Sequence, residues 1–379
     1  MRTPKRSTGR RIGASMAGLA ALAGLAGLAW VAREVPAALG GRLTGPRADR
    51  AARSPQFREG VFHNRPGTPI TAPAPDRNML RELLFGKQKR RPSAPVPLVR
   101  AAPVTPVDPA RELNVIWYGH ATTLIEIEGR RVLLDPVWSQ RCSPSAALGP
   151  HRLHEPPAGL AELPRLDAIL ISHDHYDHLD MATVRELTAR QSAPFLVPLG
   201  VGAHLDRWGV PADRIIELDW GQTHRLAGLE ITCAAAQHFS GRGLRRNGTL
   251  WSSWVVAGQQ RRVYYTGDSG YFPGYAEIGA AHGPFDVTLI QIGAYDRAWP
   301  SIHMFPEEAV AAHVDLRGGL LVPVHWGTFN LALHDWSEPV DRLWVEAKAR
   351  DLRLAVPRPG ERVVVDDPPA VDGWWQAIA

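Results

Sequence analysis

The stretch DAILISHDHYDH, residues 167–178, joins an apolar run to a dense cluster of potential metal ligands. DAILIS has the composition of a buried strand, and the six residues after it include three histidines and two aspartates. A strand that ends there delivers these side chains to a loop at the edge of a sheet. Imidazole and carboxylate together suit Zn²⁺, and also Fe or Mn. The pattern therefore predicts one divalent-ion site at His173 and His175, and a neighbouring one at Asp177 and His178.

Three further candidate ligands lie later in the chain, each just past the C-terminal end of an apolar run. His238 follows the run LEITCA, Asp268 follows RVYYTG, and His325 follows GLLVPV. In a layered sheet such strand ends share an edge, so we expect the four segments to converge. A lone histidine at a strand end is more often structural. The prediction of a site therefore depends on all four segments together.

Charge is distributed unevenly along the 379 residues. The chain has 43 Lys and Arg against 38 Asp and Glu, a net charge of +5. Residues 1–40 carry net +5, residues 41–100 carry net +9, and residues 101–379 carry net −9. A basic arm of this kind suits nucleic acid or an anionic membrane surface. Only two cysteines occur, Cys142 and Cys233, which excludes a disulfide-dense scaffold and a four-cysteine zinc site.

The N-terminal segment favours a membrane surface over nucleic acid as the partner of the basic arm. Residues 12–32 contain no charged residue, and a helix of that length spans about 30 Å, roughly one hydrocarbon core. Basic residues before it predict an N-terminus in the cytoplasm. The alternative is a signal peptide, with a cleavage site at residues 35–37 and a twin-arginine signal at Arg10 and Arg11. Both alternatives predict a membrane-associated or exported body, on the periplasmic side.

The chain divides into three parts by composition. Residues 1–40 form the anchor or signal peptide, and residues 41–110 form a basic, Pro-rich extension. Its last part, residues 92–109, is predicted to be an extended linker or a strap on the body. Residues 111–379 alternate strand-like runs with helix-like segments, such as residues 306–314, where Pro and two acidic residues suit a helix start. This alternation predicts a layered α/β domain.

From residue 114 to about residue 362 the sequence resembles the metallo-β-lactamase superfamily of dinuclear metallohydrolases. HDHYDH matches its H-x-H-x-D-H motif, and the later motifs follow in order: QH at 237–238, TGD at 266–268 and PVHWG at 323–327. More narrowly, the sequence resembles the branch of phospholipases D that hydrolyse N-acyl-phosphatidylethanolamine. The stretches that carry this resemblance include WYGHATTLIEI (117–127), GPHRLHEPP (149–157), QHFSGRG (237–243) and HMFPEEAV (303–310).

The resemblance implies a four-layer αβ/βα sandwich with a basic N-terminal extension and two divalent ions at one edge. Zn²⁺ is the expected metal, with Fe or Mn as alternatives. The implied ligands are His173, His175 and His238 for the first ion, Asp177, His178 and His325 for the second, and Asp268 as the bridge between them.

The resemblance also implies roles for Asp135 and His303 around these ligands. Asp135 would support the ligand loop from behind. His303 would lie near a substrate phosphate, as an acid or a hydrogen-bond donor, and would be catalytic together with Asp177 and Asp268. Arg242, in the stretch SGRGLRR, is a candidate donor to a phosphate. Tryptophans near the motifs, among them Trp326, are candidates for lining an acyl groove, although core packing is the more frequent role for tryptophan.

The expected function is a phosphodiesterase of phospholipase D type. It would convert N-acylated, phosphatidylethanolamine-like lipids to phosphatidic acid and an N-acylethanolamine. The alternatives are a lactonase acting on a phosphorylated sugar acid, or a nuclease, on the same fold. The acidic body argues against nucleic acid as a partner. The expected partners are a phospholipid substrate and, through the basic arm, a membrane surface. A non-enzymatic binding protein would be expected to have lost ligands, and none of the seven is missing.

Overall fold

The computed structural model describes residues 35–65, 81–82, 85–100 and 111–379. The predicted anchor or signal segment at 12–32 lies outside the described residues. Within the part of the chain that is described, no helix is long and apolar enough to span a bilayer.

The described residues form strands and helices in close agreement with the predicted runs. The strands are β1 Phe57–Arg58, β2 Val61–Phe62, β3 Leu113–Gly119, β4 Thr122–Ile127, β5 Arg130–Leu134, β6 Ala168–Leu170, β7 Phe195–Pro198, β8 Ile215–Leu218, β9 Thr223–Leu226, β10 Leu229–Ala234, β11 Ser253–Ala257, β12 Arg262–Tyr265, β13 Phe285–Gln291, β14 Gly318–Val324, β15 Arg353–Leu354 and β16 Arg362–Val364. The helices are α1 Gly45–Ala51, α2 Met181–Arg190, α3 Gly202–Arg207, α4 Gly274–His282, α5 Pro306–Asp315 and α6 Glu338–Ala349.

Two seven-stranded sheets carry the fold. The strand order is β16-β3-β4-β5-β6-β7-β8 in the first sheet and β15-β14-β13-β12-β11-β10-β9 in the second. Strands β5 to β8 run parallel, as do β12 to β15, and the remaining pairs are antiparallel. It follows that β3, β5 and β6 end at one edge of the first sheet, and that β10, β12 and β14 end at one edge of the second.

The first sheet buries both of its faces. Along β3, Val115 and Trp117 join the core that both sheets share, whereas Ile116 and Tyr118 join a second cluster that includes Leu187 of α2. This alternation is the period of two expected of a strand, and here both faces are apolar because a helix covers the outer one.

The second sheet is covered in the same way. Leu289 of β13 lies in the shared core with Val310 of α5 and Leu343 of α6, which form the outer layer on that side. The layers are therefore helix, sheet, sheet and helix, and the predicted four-layer sandwich is confirmed.

The described parts of the N-terminal extension lie on the body. Ala51 of α1 is fully buried in a cluster with Phe62 and Trp251. Farther along the extension, the carbonyl of Lys89 accepts a hydrogen bond from the amide of Trp336 at 2.9 Å. The amide of Val99 donates to the carbonyl of Pro359 in the body, also at 2.9 Å. Residues 85–100 therefore lie on the body as a strap. This agrees with one of the two alternatives predicted for residues 92–109, of which 101–109 lie outside the described residues.

Candidate metal centre

Four strand ends deliver the predicted ligands to one place. The HDHYDH loop begins three residues after β6, and His238, Asp268 and His325 follow β10, β12 and β14. The seven side chains fall into groups whose potential ligand atoms lie within 4.8 Å of one another. All seven are buried or nearly so. The convergence expected from the shared sheet edge is therefore present in the structure.

The first group has the spacing of a tetrahedral site. Nδ1 of His175 lies 2.8 Å from Nε2 of His173 and 3.2 Å from Nε2 of His238. Oδ2 of Asp268 lies 3.8 Å from each of those two Nε2 atoms. Ligand atoms bound tetrahedrally at about 2.0–2.1 Å from one Zn²⁺ lie about 3.3 Å apart. These four atoms could therefore coordinate one ion together.

The second group shares Asp268 with the first. Its Oδ2 lies 3.1 Å from Nε2 of His178 and 3.1 Å from Nε2 of His325. Oδ2 of Asp177 lies 3.1 Å from Nε2 of His325 and 3.4 Å from Nε2 of His178. One carboxylate therefore lies within reach of both groups, so Asp268 could contact an ion held by either of them.

The chemistry of these potential ligand atoms suits bound cations. Two imidazole nitrogens that face each other at 2.8 Å, as in His173 and His175, place two basic atoms in hydrogen-bonding range. Oδ1 of Asp268 is buried and has no hydrogen-bond partner among the described residues. A buried polar atom without a partner costs about 1–3 kcal/mol, which a bound cation would offset. Imidazole and carboxylate donors suit two ions of Zn²⁺, Fe or Mn.

The ionisation states also suit metal binding. Burial lowers the pKa of His173 and of His238 well below the ordinary value, which keeps both imidazoles neutral. Burial alone would raise the pKa of Asp268, but His178 and His325 beside it hold that pKa well below the ordinary value. Burial lowers the pKa of His178 and of His325, but the carboxylates of Asp268 and Asp177 outweigh it and raise both above the ordinary value. Neutral imidazole and ionised carboxylate are the forms that bind a metal, so an ion that binds these two histidines would displace their protons.

Asp135 lies behind the ligand loop and contacts it. It follows β5 directly, and its Oδ2 accepts a hydrogen bond from Nδ1 of His178 at 2.6 Å and from the hydroxyl of Tyr265 at 2.5 Å. Its Oδ1 accepts from the amide of Ser172 at 2.6 Å. Because Nδ1 of His178 donates to Asp135, Nε2 is the nitrogen that faces Asp268 and is left to bind an ion.

His120 lies within this centre, although no metal-ligand motif of the sequence includes it. Its Nε2 lies 2.9 Å from Oδ2 of Asp177, and it belongs to a potential ligand group with His178 and His325. His120 directly follows β3 with a φ of 52°, and His325 directly follows β14 with a φ of 63°. Left-handed backbone is uncommon for residues other than glycine and is concentrated at functional sites.

A cavity of about 350 Å³ opens onto the metal centre. Its polar part is formed by ligand side chains together with His303 and Arg246, and its apolar wall is formed by Phe239, Ala294, Ala298, Trp299, Ile302 and Leu331. His303 lies with its ring centroid 5.1 Å from that of His238, and its Nδ1 has no hydrogen-bond partner within the described ranges. Burial lowers the pKa of His303 to about 4, so its imidazole is neutral and suited to donate a hydrogen bond.

Two predicted substrate contacts lie elsewhere. Arg242 is buried, and its guanidinium donates to the carbonyls of Ala38, Asp174 and Leu179 at 2.7–2.8 Å. The arginine that lines the cavity is Arg246, four residues later.

Trp326 is also buried away from the substrate cavity. It stacks on Trp117 with ring centroids 5.4 Å apart and belongs to the shared core. Trp299 is the tryptophan in the cavity wall. The predicted groove role of Trp326 is therefore corrected to core packing.

Comparisons with known proteins agree with this geometry. The family description "Beta-lactamase superfamily domain" matches residues 130–326. An uncharacterized protein of Mycobacterium tuberculosis is 52% identical over 358 residues, which cover 92% of this chain and 95% of that protein. An N-acyl-phosphatidylethanolamine-hydrolyzing phospholipase D of Caenorhabditis elegans is 40% identical over 252 residues, which cover 63% of this chain and 71% of that enzyme.

A solved structure has the same fold. Igni18, a metallo hydrolase of the archaeon Ignicoccus hospitalis, superposes with a TM-score of 0.51 at 23% identity. The match covers 66% of this chain and 97% of that one.

Proposed function

Because the chain belongs to the β-lactamase superfamily and is a metal-dependent hydrolase, we propose that it cleaves the phosphodiester of N-acylated, phosphatidylethanolamine-like lipids. The reaction is of phospholipase D type. Water supplies an oxygen to phosphorus as the bond to the alcohol breaks, and its hydrogen leaves with that alcohol. The products are phosphatidic acid and an N-acylethanolamine.

The composition of the cavity carries this proposal. Carboxylates and imidazoles occupy one part of it, and the apolar side chains of Phe239, Trp299 and Leu331 form the wall beside them. An amphiphilic phosphodiester fits both parts, with its phosphate at the metal centre and an acyl chain along the wall. The relative from Caenorhabditis elegans, whose name states this activity, supports the choice of lipid.

The chain's own residues would orient the substrate. Two bound divalent ions supply Lewis acidity toward a phosphate oxygen and lower the pKa of water. Arg246 lies on the cavity wall, where its guanidinium can pair with the phosphate. His303, neutral and with Nδ1 unpartnered among the described residues, is placed to donate a hydrogen bond to an oxygen of the reacting group. The apolar wall excludes bulk water from the reacting atoms.

The setting of the reaction is part of the proposal. An uncharged segment at 12–32 followed by a basic arm would place the enzyme at a membrane surface, with the body on the periplasmic side. The net charge of −9 on residues 101–379 makes nucleic acid an unfavourable partner.

The direct test is product analysis with vesicles that contain N-acyl-phosphatidylethanolamine. We expect phosphatidic acid and N-acylethanolamine in equal amounts, no product after treatment with a chelator, and recovery when Zn²⁺, Mn²⁺ or Fe²⁺ is restored. The same panel includes a phosphorylated sugar lactone and RNA. Chelator-sensitive turnover of one of those two, without cleavage of the lipid, would overturn the assigned substrate.

A further inference from the structure

A loop with an exposed leucine stands at the rim of the cavity. The loop covers residues 240–247, SGRGLRRN, and follows the ligand His238. The side chain of Leu244 is fully exposed, and Arg245 beside it is exposed as well. Arg246 in the same loop lines the cavity, and its guanidinium lies 5.1 Å from the ring centroid of Phe239. The exposed leucine is therefore two residues from the substrate cavity.

The base of this loop is held firmly. Arg242 donates hydrogen bonds to three carbonyls. They belong to Asp174 in the HDHYDH segment, to Leu179 directly after it, and to Ala38. The hydroxyl of Tyr176 donates to the carbonyl of Arg242 at 2.7 Å. Arg245 donates from Nη2 to the carbonyl of Gly60 at 2.8 Å. A fixed base keeps Leu244 in solvent instead of letting it fold back onto the body.

A second exposed leucine lies beside Gly243, the residue before Leu244. Leu39 is 40% exposed, and a Cβ built on Gly243 would lie 3.3 Å from its Cδ2 atom. Leu39 and Leu244 therefore belong to one side of the cavity rim. Exposed leucines beside arginine suit the interface of an anionic bilayer, where aliphatic side chains enter the acyl boundary and guanidinium groups meet lipid phosphates.

Chain connectivity brings this rim to the predicted membrane segment. The uncharged stretch ends at residue 32, seven residues before Leu39. Seven residues span at most about 25 Å even when fully extended. A membrane that binds residues 12–32 therefore also keeps Leu39, at the cavity rim, within about 25 Å of its surface.

We propose that the patch formed by Leu39, Leu244 and Arg245 docks on an anionic lipid bilayer and points the cavity at the lipid surface. The leucines enter the interface, and the N–H groups of Arg245 that are not bonded to Gly60 pair with lipid phosphates. The patch gives lipid a short path to the metal centre. This purpose rests on the proposed lipid substrate, whereas the docking itself does not.

A polarity-sensitive dye at the loop tests the contact in the full chain. Cys142 and Cys233 are buried, so Leu244→Cys offers one reactive thiol, and Val345→Cys offers the matched control at an exposed position on α6. Vesicles of phosphatidylcholine and phosphatidylglycerol should shift the emission of the dye at position 244 to the blue, less strongly at high salt, and leave the dye at position 345 unchanged. A dye at one site reports local contact, even where residues 12–32 hold the protein on the vesicle. No shift at position 244, or an equal shift at both positions, overturns the proposal.

A kinetic comparison separates this proposal from the proposed function. Leu244→Asp should lower hydrolysis of vesicle lipid about tenfold relative to hydrolysis of a soluble short-chain phosphodiester, because burial of a leucine contributes about one factor of ten in affinity. Val345→Asp should leave that ratio unchanged. An unchanged ratio in Leu244→Asp rejects the docking patch and leaves the lipid substrate standing. A blue shift without any phosphodiester cleavage supports docking and rejects the proposed function.

Discussion

The side-chain amide of Asn64 holds the main chain of His238 at both of its polar atoms. Nδ2 of Asn64 donates to the carbonyl of His238 at 2.7 Å, and its Oδ1 accepts from the amide of His238 at 3.1 Å. Oδ1 also accepts from Nε1 of Trp251 at 2.9 Å. Asn64 belongs to the N-terminal extension, so the extension takes part in positioning a metal ligand.

Replacing this amide should weaken metal binding. In Asn64→Asp the side chain no longer donates to the carbonyl of His238, and a carboxylate repels that carbonyl. We expect metal affinity, measured by chelator competition, to fall about 10- to 100-fold, as for other partners of ligating residues. Asn330→Asp is the control, because Asn330 also ties the extension to the body, through the carbonyl of Arg90. Equal losses in the two variants would mean that attachment in general, and not the contact with His238, controls affinity.

The position of Asp268 between the two ligand groups predicts how many metal ions its replacement removes. Asp268→Asn removes the charge that both ligand groups use, so elemental analysis should find fewer than two ions per chain, with loss of hydrolysis. Asp351→Asn, at an exposed position, is the control and should retain two ions per chain and full hydrolysis. Two ions and full activity in Asp268→Asn would remove the bridging role.

Gly267, directly before the bridging aspartate, should tolerate no side chain. Its φ is +57°, and an added Cβ would lie 2.6 Å from Cβ of Ser172 and 2.7 Å from the carbonyl oxygen of Ser252. Gly228 has a φ of +87° but nothing within 4 Å of an added Cβ. Gly228→Ala should therefore lower the free energy of unfolding by about 1–2 kcal/mol, and Gly267→Ala by about 1–3 kcal/mol more, as measured by denaturant titration. Similar losses would show that the close contacts at Gly267 relax without cost.

The two arginines of the rim loop should differ in effect. Arg246→Gln removes a cation from the cavity wall and should raise KM for a soluble phosphodiester about tenfold, since a charge-assisted hydrogen bond contributes about 1.5–3 kcal/mol. Arg242→Gln should chiefly lower the thermal midpoint, because it breaks three buried hydrogen bonds to carbonyls. Arg225→Gln, at an exposed pair with Glu230, is the control for both. If Arg242→Gln raised KM more than Arg246→Gln does, the predicted contact between Arg242 and the substrate phosphate would be restored.

Metal should stabilise the fold as well as support activity. The ligands come from strand ends of both sheets, and an ion that binds only the folded state stabilises it by about 2.7 kcal/mol at a concentration 100 times its dissociation constant. Chelated protein should therefore melt at a lower temperature, and the midpoint should rise with added Zn²⁺. A midpoint that does not respond to the ion would contradict a site shared between the sheets.

Much of the site could be predicted because its signals are local. The four ligands between His173 and His178 follow one apolar run, and His238, Asp268 and His325 each follow another. An apolar run marks where a strand ends, and strand ends of a layered sheet share an edge, so this part of the geometry was visible in the pattern. The layered architecture followed from the same runs.

The sequence by itself thus determined the layered fold and the seven candidate ligands. Only the tertiary structure decided that Arg246 and not Arg242 faces the cavity, that Trp326 packs in the core, and that Asn64 holds His238. These outcomes depend on partners far away in the chain, since a loop side chain turns toward whichever distant carbonyl, ring or cavity satisfies it. No spacing within a motif encodes where those partners lie.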